Sequence, residues 1–268
     1  MIKMVALDLD GTLLTSDKKI SRRNEAILKQ LHHDGIKIVL CTGRPINAIW
    51  KYIEQLGLTN VDDYTITFNG ALVIQNVGHA ELFRSGIDKQ DLTLLHDYCT
   101  THNYPLDVLD FEQVWPLSDL KPSYYEGMLN AGLTFTHVDF ADLPAGEYSK
   151  AVMSFDPEVL DDATANLTPA MQAQYHAVRS QPKILEFLAK GMDKHVGLNA
   201  LLTHYGWDFS NLMTFGDAEN DLGMLQAAKV GVVMDNGKPD IKAAGTDVTG
   251  NNNYDGVAQF LEQFDFSK

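Results

Sequence analysis

The sequence predicts an α/β protein: a parallel sheet with crossover helices, interrupted by an inserted second domain. Three observations predict it. The first 70 residues alternate strand, helix, strand, helix, strand. The same rhythm returns after residue 189. The stretch over 84–188 between them mixes element types and carries several prolines and glycines.

The elements follow in order. Met4-Val5-Ala6-Leu7 is an apolar run of core-strand length that leads straight into Asp8-Leu9-Asp10-Gly11-Thr12. Ser21 suits the N-cap of a helix carrying Ala26, Ile27, Leu28 and Leu31, and Gly35 ends it. Residues 36–40 form a second strand. Pro45 suits the first turn of the next helix, expected to run to residue 56. A strand over 64–68 ends in Asn69-Gly70. In the inserted stretch the pattern predicts a helix over 88–102, a strand over 150–155 and a helix over 158–166. A helix over 193–205, a strand over 211–215, a helix over 220–229, a strand over 230–234 and a terminal helix over 255–264 complete the chain. The polar run over 250–253 reads as a loop. The domain boundaries that follow are 1–83, 84–188 and 189–268. No internal repeat or low-complexity segment interrupts them.

Composition narrows the partners. The chain of 268 residues carries a net charge of −15. Phosphate backbones need clustered Lys and Arg, so nucleic acid is excluded as a partner, whereas a local cationic pocket still admits a small phosphorylated ligand. Cys41 and Cys99 stand far apart in no metal or redox spacing, which fits a reducing compartment. No basic region followed by a long apolar run opens the chain, and no apolar run reaches membrane-spanning length. The cytoplasm is the expected location, no membrane partner is expected, and the sequence carries no signal for an oligomeric state.

The chemistry-bearing residues cluster at strand ends. In a strand the side-chain period is two, so Asp8 and Asp10 point the same way, their carboxylates about 7 Å apart along the chain. Two such anions ask for a cation, a shared proton or an unusual role for one of them. A plain Asp-Gly turn is the alternative. An EF-hand loop is excluded, because the later glycine and glutamate are missing from its sixth and twelfth positions. Open α/β sheets bind ligands outside the carboxyl ends of their strands. That edge collects Asp8 and Asp10, then Thr42-Gly43-Arg44, then Asn69, then Gly216-Asp217-Ala218-Glu219-Asn220-Asp221, while Lys194 opens a helix. Oxygen-only donors of this kind suit Mg2+. Thr42 and Gly43, where a helix begins, suit an anion. A metal, an anion site and a carboxylate beside them suggest phosphoryl transfer.

In this order the motifs resemble those of the haloacid dehalogenase superfamily. Asp8-Leu9-Asp10-Gly11-Thr12 resembles its first motif, Thr42-Gly43-Arg44 its second, Lys194 its third and the segment from Gly216 to Asp221 its fourth. Phe68-Asn69-Gly70-Ala71 resembles a segment of the Cof-like phosphatase branch, which carries an inserted cap in this place. The resemblance implies a Rossmann-like parallel-sheet core with an inserted α/β cap domain. It implies a Mg2+-dependent phosphatase acting on a small phosphorylated metabolite, a sugar phosphate first among them. Asp8 would be the nucleophile, and Asp10 the general acid and then base, carrying the proton that Asp8 does not. The metal would be held by Asp8, the backbone carbonyl of Asp10, Asp217 and Asp221. Thr42, Gly43 and Lys194 would hold the phosphoryl group, and Arg44, Asn69 and Asn220 would position substrate.

Rival readings follow from the same residues. A phosphosugar mutase of the superfamily would return the phosphoryl group to sugar. A non-catalytic phospho-receiver shares the acidic pocket with Thr and Lys, but receivers are shorter and lack a cap. A dinucleotide-binding dehydrogenase lacks its Gly-x-Gly-x-x-Gly fingerprint here. Lys190 is a second cation beside Lys194, Cys41 reads as core, His195 should face away from the Lys194 side, and Lys150 and Glu186 are polar residues among apolar neighbours in the inserted domain.

Overall fold

β1 (Met4–Leu7) is buried at every residue and lies inside a parallel sheet, with a strand on either side. The computed structural model describes residues 1–128 and 133–267. After β1 come α1 (Arg22–His33), β2 (Lys37–Leu40), α2 (Trp50–Leu56), β3 (Tyr64–Thr67), β4 (Leu72–Gln75) and β5 (Glu81–Arg84). Ser21 caps α1, its hydroxyl accepting from the Asn24 N–H at 3.1 Å. Pro45 precedes a 3-10 turn over Ile46–Ala48, and α2 starts only at Trp50, because Ile49 leaves helical geometry at φ −122°, ψ 1°.

The chain then enters a second unit: β6 (Ile87–Asp88), α3 (Thr93–His102), β7 (Asp107–Leu109), β8 (Gln113–Pro116), α4 (Tyr125–Met128), β9 (Thr134–Phe135), β10 (Glu147–Tyr148), β11 (Lys150–Ser154), α5 (Pro157–Ala165), α6 (Pro169–Gln174), β12 (Tyr175–Gln181) and β13 (Ile184–Ala189). It returns through α7 (Lys194–His204), β14 (Leu212–Gly216), α8 (Leu222–Ala227), β15 (Val230–Val233), α9 (Pro239–Lys242), β16 (Asp247–Val248) and α10 (Gly256–Leu261). The two units are Met1–Arg84 with Asp193–Lys268, and Ser85–Met192. The second junction therefore falls at Met192/Asp193, later than residue 188.

In the first unit five parallel strands lie in the order β16-β15-β14-β1-β2. Register pairs Leu7 with both Leu40 and Phe215, so the residues that follow each strand emerge side by side at one edge. β3 joins this sheet by a single parallel bridge, Cys41 to Ile66, and otherwise pairs antiparallel with β4, which pairs with β5. Burying each large apolar side chain of such strands is worth about 1.5–3 kcal/mol, which pins the register and with it the edge.

In the second unit an antiparallel-rich sheet of six strands, in the order β12-β13-β11-β7-β8-β9, packs one face against apolar residues of α3, α5 and α6. The helix expected over 88–102 begins only at Thr93, because Ile87 and Asp88 pair with β10 instead. No described helix is long and apolar enough to cross a membrane.

Candidate active site

Asp8 is the first residue beyond β1, still tied to the sheet by its N–H donating to the Phe215 carbonyl at 3.0 Å. The chain then turns back through Gly11, whose φ of +86° is open to glycine. A Cβ there would also lie 2.4 Å from Asp217 Oδ2, so only glycine lets the turn approach that carboxylate. Lys194 starts α7 after Asp193 caps it. Its ammonium is fully buried and donates to Asp8 Oδ1 at 2.5 Å and to Asp221 Oδ1 at 2.6 Å.

Asp221 is held in turn. Its Oδ2 accepts from the N–H groups of Asp217 and Ala218 at 2.9 and 3.0 Å, so the segment after β14 folds onto its own carboxylate. This self-capping explains why the expected helix over 220–229 opens as a 3-10 turn and becomes α-helical only at Leu222. Thr12 Oγ1 donates to Asp217 Oδ1 at 2.7 Å. The carboxylates of Asp8, Asp217 and Asp221 offer oxygens within 4.8 Å of one another.

Three acids with one lysine remain unbalanced. Burial pushes the Asp8 carboxyl well up, Lys194 pulls it down, and Asp221 and Asp217 push it up again. Burial and Asp221 push Asp217 up to about 6, against Thr12 and Lys194. Burial alone would lower Lys194, but Asp221 and Asp8 outweigh it and hold the ammonium protonated. A cluster with this shortage of positive charge fits a divalent cation, and its all-oxygen donors fit Mg2+.

Asp10 has a different set of partners. Arg44 forks onto it, Nε to Oδ2 at 2.7 Å and Nη2 to Oδ1 at 2.5 Å, and Lys18 Nζ reaches Oδ1 at 2.6 Å. Burial would raise this carboxyl, but Arg44 and Lys18 outweigh it and hold it below its ordinary value. Among the protein's own groups the two carboxyls are thus pushed in opposite directions, Asp10 down and Asp8 up. The reason is that Asp10 has two cations to itself, whereas Asp8 shares one with Asp221.

Thr42 is buried at the end of β2, and its Oγ1 accepts from the Arg44 N–H at 3.2 Å. Gly43 lies against Asn69, where a Cβ would stand 3.0 Å from Oδ1. Asn69 is left-handed at φ 55°, and Asn220 Nδ2 donates to its Oδ1 at 3.3 Å. Thr42, Gly43, Asn69 and Asn220 thus meet at the same sheet edge, while Arg44 turns to Asp10.

Other sequence candidates fall elsewhere. Lys190 belongs to the second unit and donates to the Gln172 carbonyl at 2.6 Å. His195 bonds to the Asp193 carboxylate. Cys41 is wholly buried, and burial pushes its thiol up, so it is core. Lys150 and Glu186 form a buried ion pair at 3.0 Å in the sheet of the second unit. Sequence reasoning missed Thr12, Lys18 and Asn236 as site residues. Thr12 stood inside the first motif and could have been found there. Asn236, from the turn after β15, donates to the Gly11 carbonyl at 2.7 Å and pins the turn that follows Asp10.

Comparison with known proteins identifies the family of the chain. A family model described as haloacid dehalogenase-like hydrolase matches residues 5–261. The Bacillus subtilis 5-amino-6-(5-phospho-D-ribitylamino)uracil phosphatase YitU is 32% identical over 273 residues, covering 97% of each chain. A haloacid dehalogenase-like hydrolase structure from Bacteroides thetaiotaomicron superposes with a TM-score of 0.84 at 27% identity, over 98% of this chain and 99% of that one. The subclass IIB sugar phosphatase BT4131 superposes with a TM-score of 0.83 at 25% identity, over 98% of each. With the four motifs gathered at one sheet edge, the chain belongs to the haloacid dehalogenase-like hydrolases and is an enzyme of their Cof-like phosphatase branch.

Proposed function

We propose that the chain hydrolyses phosphate monoesters of small metabolites, sugar phosphates foremost, with Mg2+ and through an aspartyl-phosphate on Asp8. The observation that carries this reading is the buried Lys194 ammonium bridging Asp8 and Asp221, with Asp217 beside them. A relative named for a phosphorylated ribitylaminouracil and a neighbour named as a sugar phosphatase support this substrate class.

The carboxylates of Asp8, Asp217 and Asp221, with the backbone carbonyl of Asp10, would hold the metal. Bound there, Mg2+ supplies positive charge that offsets the acids and the phosphoryl oxygens. Asp8 attacks phosphorus, a new bond forms from its carboxylate oxygen, and the bond to the leaving oxygen breaks. Asp10 gives that oxygen a proton. A water then attacks the aspartyl-phosphate and returns a proton to Asp10, and the bond to Asp8 breaks to free phosphate. Lys194, Thr42 and the Gly43 N–H steady the phosphoryl oxygens, while Asn69 and Asn220 orient the substrate. For Asp10 to carry its proton, Arg44 and Lys18 must loosen their hold on it. The phosphoryl group offers Arg44 an alternative anion.

The acidic chain and its two free, buried cysteines support a cytoplasmic enzyme without nucleic-acid or membrane partners. The test is hydrolysis of p-nitrophenyl phosphate. Activity is lost with a chelator and restored by Mg2+, and Asp8→Ala lowers it by roughly a thousandfold or more. Wild-type turnover by Asp8→Ala sinks the mechanism. Release of an isomerised sugar phosphate in place of free phosphate points to a mutase.

A further inference from the structure

The polar run over 250–253 plays no part in the chemistry above, yet it reaches back to the chain just beyond Asp10. Asn252 Nδ2 donates to the Leu14 carbonyl at 2.7 Å, and Asn253 Nδ2 donates to Ser16 Oγ at 3.0 Å. The Asn252 N–H donates to Asn236 Oδ1 at 3.1 Å, which fixes the orientation of that amide. Asn236 Nδ2 therefore faces the other way, donating to the Gly11 carbonyl at 2.7 Å and to Asp217 Oδ2 at 3.4 Å. On the Mg2+ reading of the site, which this inference rests on, we propose that Asn236 is a positioning residue for the metal, setting the Asp217 carboxylate and the Gly11 turn together.

The character of the donors at Asp217 favours this role. Thr12 Oγ1 donates to its Oδ1 and Asn236 Nδ2 to its Oδ2, so each oxygen has one uncharged side-chain donor. No described ion pair includes Asp217, whereas Lys194 holds both Asp8 and Asp221. A cation at Asp217 would compete with a metal for the carboxylate. A neutral amide orients the oxygen and leaves its negative charge to the metal. The two hydrogens of the Asn236 amide also join two parts of the site. One goes to Asp217, and the other to the residue after Asp10, whose backbone carbonyl is a proposed ligand. The turn itself sits close to Asp217, since a Cβ on Gly237 would lie 3.1 Å from the Asp217 carbonyl oxygen. Asn236 is exposed, so its side chain contributes little to the core, and removing it frees the ligand without opening the interior. A ligand that must be ordered on binding holds its metal less tightly.

The test uses the intact protein and Mg2+ alone, without substrate. Calorimetric titration should give Asn236→Ala a dissociation constant for Mg2+ about 10- to 100-fold above that of the wild type. Asn253→Ala, which loosens the same loop at Ser16, should leave that constant unchanged. A purely structural role for Asn236 would lower the melting temperature and leave the Mg2+ constant where it was. A second measurement needs no variant: the side-chain amide resonances of Asn236 should shift with Mg2+ and saturate at the calorimetric midpoint, while those of Asn253 stay in place. Wild-type Mg2+ affinity in Asn236→Ala, an equal loss in Asn253→Ala, or an Asn236 amide indifferent to bound Mg2+ would each overturn the proposal and leave the metal reading standing. Absence of Mg2+ binding by the wild type would overturn both.

Discussion

Arg44 grips Asp10 with both sides of its guanidinium, Nε to one carboxylate oxygen at 2.7 Å and Nη2 to the other at 2.5 Å. The fork geometry matters, because a planar guanidinium matches a carboxylate as a lysine cannot. Removing it should let the Asp10 carboxyl rise. In Arg44→Ala, carboxyl NMR should show Asp10 ionising at a higher pH than in the wild type, with kcat/KM lower by about 10- to 100-fold. Arg44→Lys should recover only part of either change. An unmoved Asp10 midpoint would remove Arg44 as its controlling partner.

Lys194 is the only cation that touches Asp8 or Asp221 among the described ion pairs, and it is buried with them. Taking one member from a buried ionic group leaves the others uncompensated, at a cost of about 3–5 kcal/mol. Lys194→Met should therefore lose both activity and stability in denaturant melts. Adding Asp221→Asn should return part of the stability and none of the activity. A single variant as stable as the wild type would contradict this.

Mg2+ should stabilise the fold. A ligand bound only by the native state adds about 2.7 kcal/mol at a hundredfold excess over its dissociation constant. The melting temperature should rise with Mg2+, fall back with chelator, and respond much less in Asp217→Asn. A wild-type melting temperature indifferent to Mg2+ would remove the metal from the site.

Asp107 gives a pH dependence of definite sign. Its carboxyl stands at about 7 when folded, above the unfolded value near 3.9. Between those values the folded protein binds more protons, so stability falls as pH rises, by about 2–4 kcal/mol across the window. Burial is what raises the Asp107 carboxyl, and Glu126, His137 and Lys121, which line a cavity with it, are unchanged in the variant. Asp107→Asn should flatten this fall in unfolding measurements made from pH 4 to pH 7. An unchanged slope would show that Asp107 ionises normally.

The legible part of the molecule is the part whose position follows from strand ends. Asp8, Thr42, Asn69 and Asp217 each follow an apolar run, and parallel register does the rest. Lys194 was legible only through its place in a family pattern. Lys18 was not, because it reaches Asp10 through a loop that doubles back at a left-handed Lys18, φ 57°, and nothing in its local pattern marks that reversal. Asn236 escaped for a similar reason, coming from a turn far along the chain. The hairpin of β4 and β5 was missed because β5 is exposed or half-buried at every residue and opens and closes on charged side chains, Glu81 and Arg84, so it shows no apolar run like those of the parallel strands. Asp107 gave no signal, since an acid beside apolar residues looks the same in sequence whether it faces solvent or a closed interior.

Rapid acid quench during turnover shows directly whether Asp8 carries the phosphoryl group. After quenching and borohydride reduction, mass spectrometry of the peptide containing Asp8 should show homoserine at that position, formed only when substrate and Mg2+ were both present. An unmodified Asp8 in enzyme that turns over at full rate, or the same modification appearing on Asp10 instead, would contradict the account.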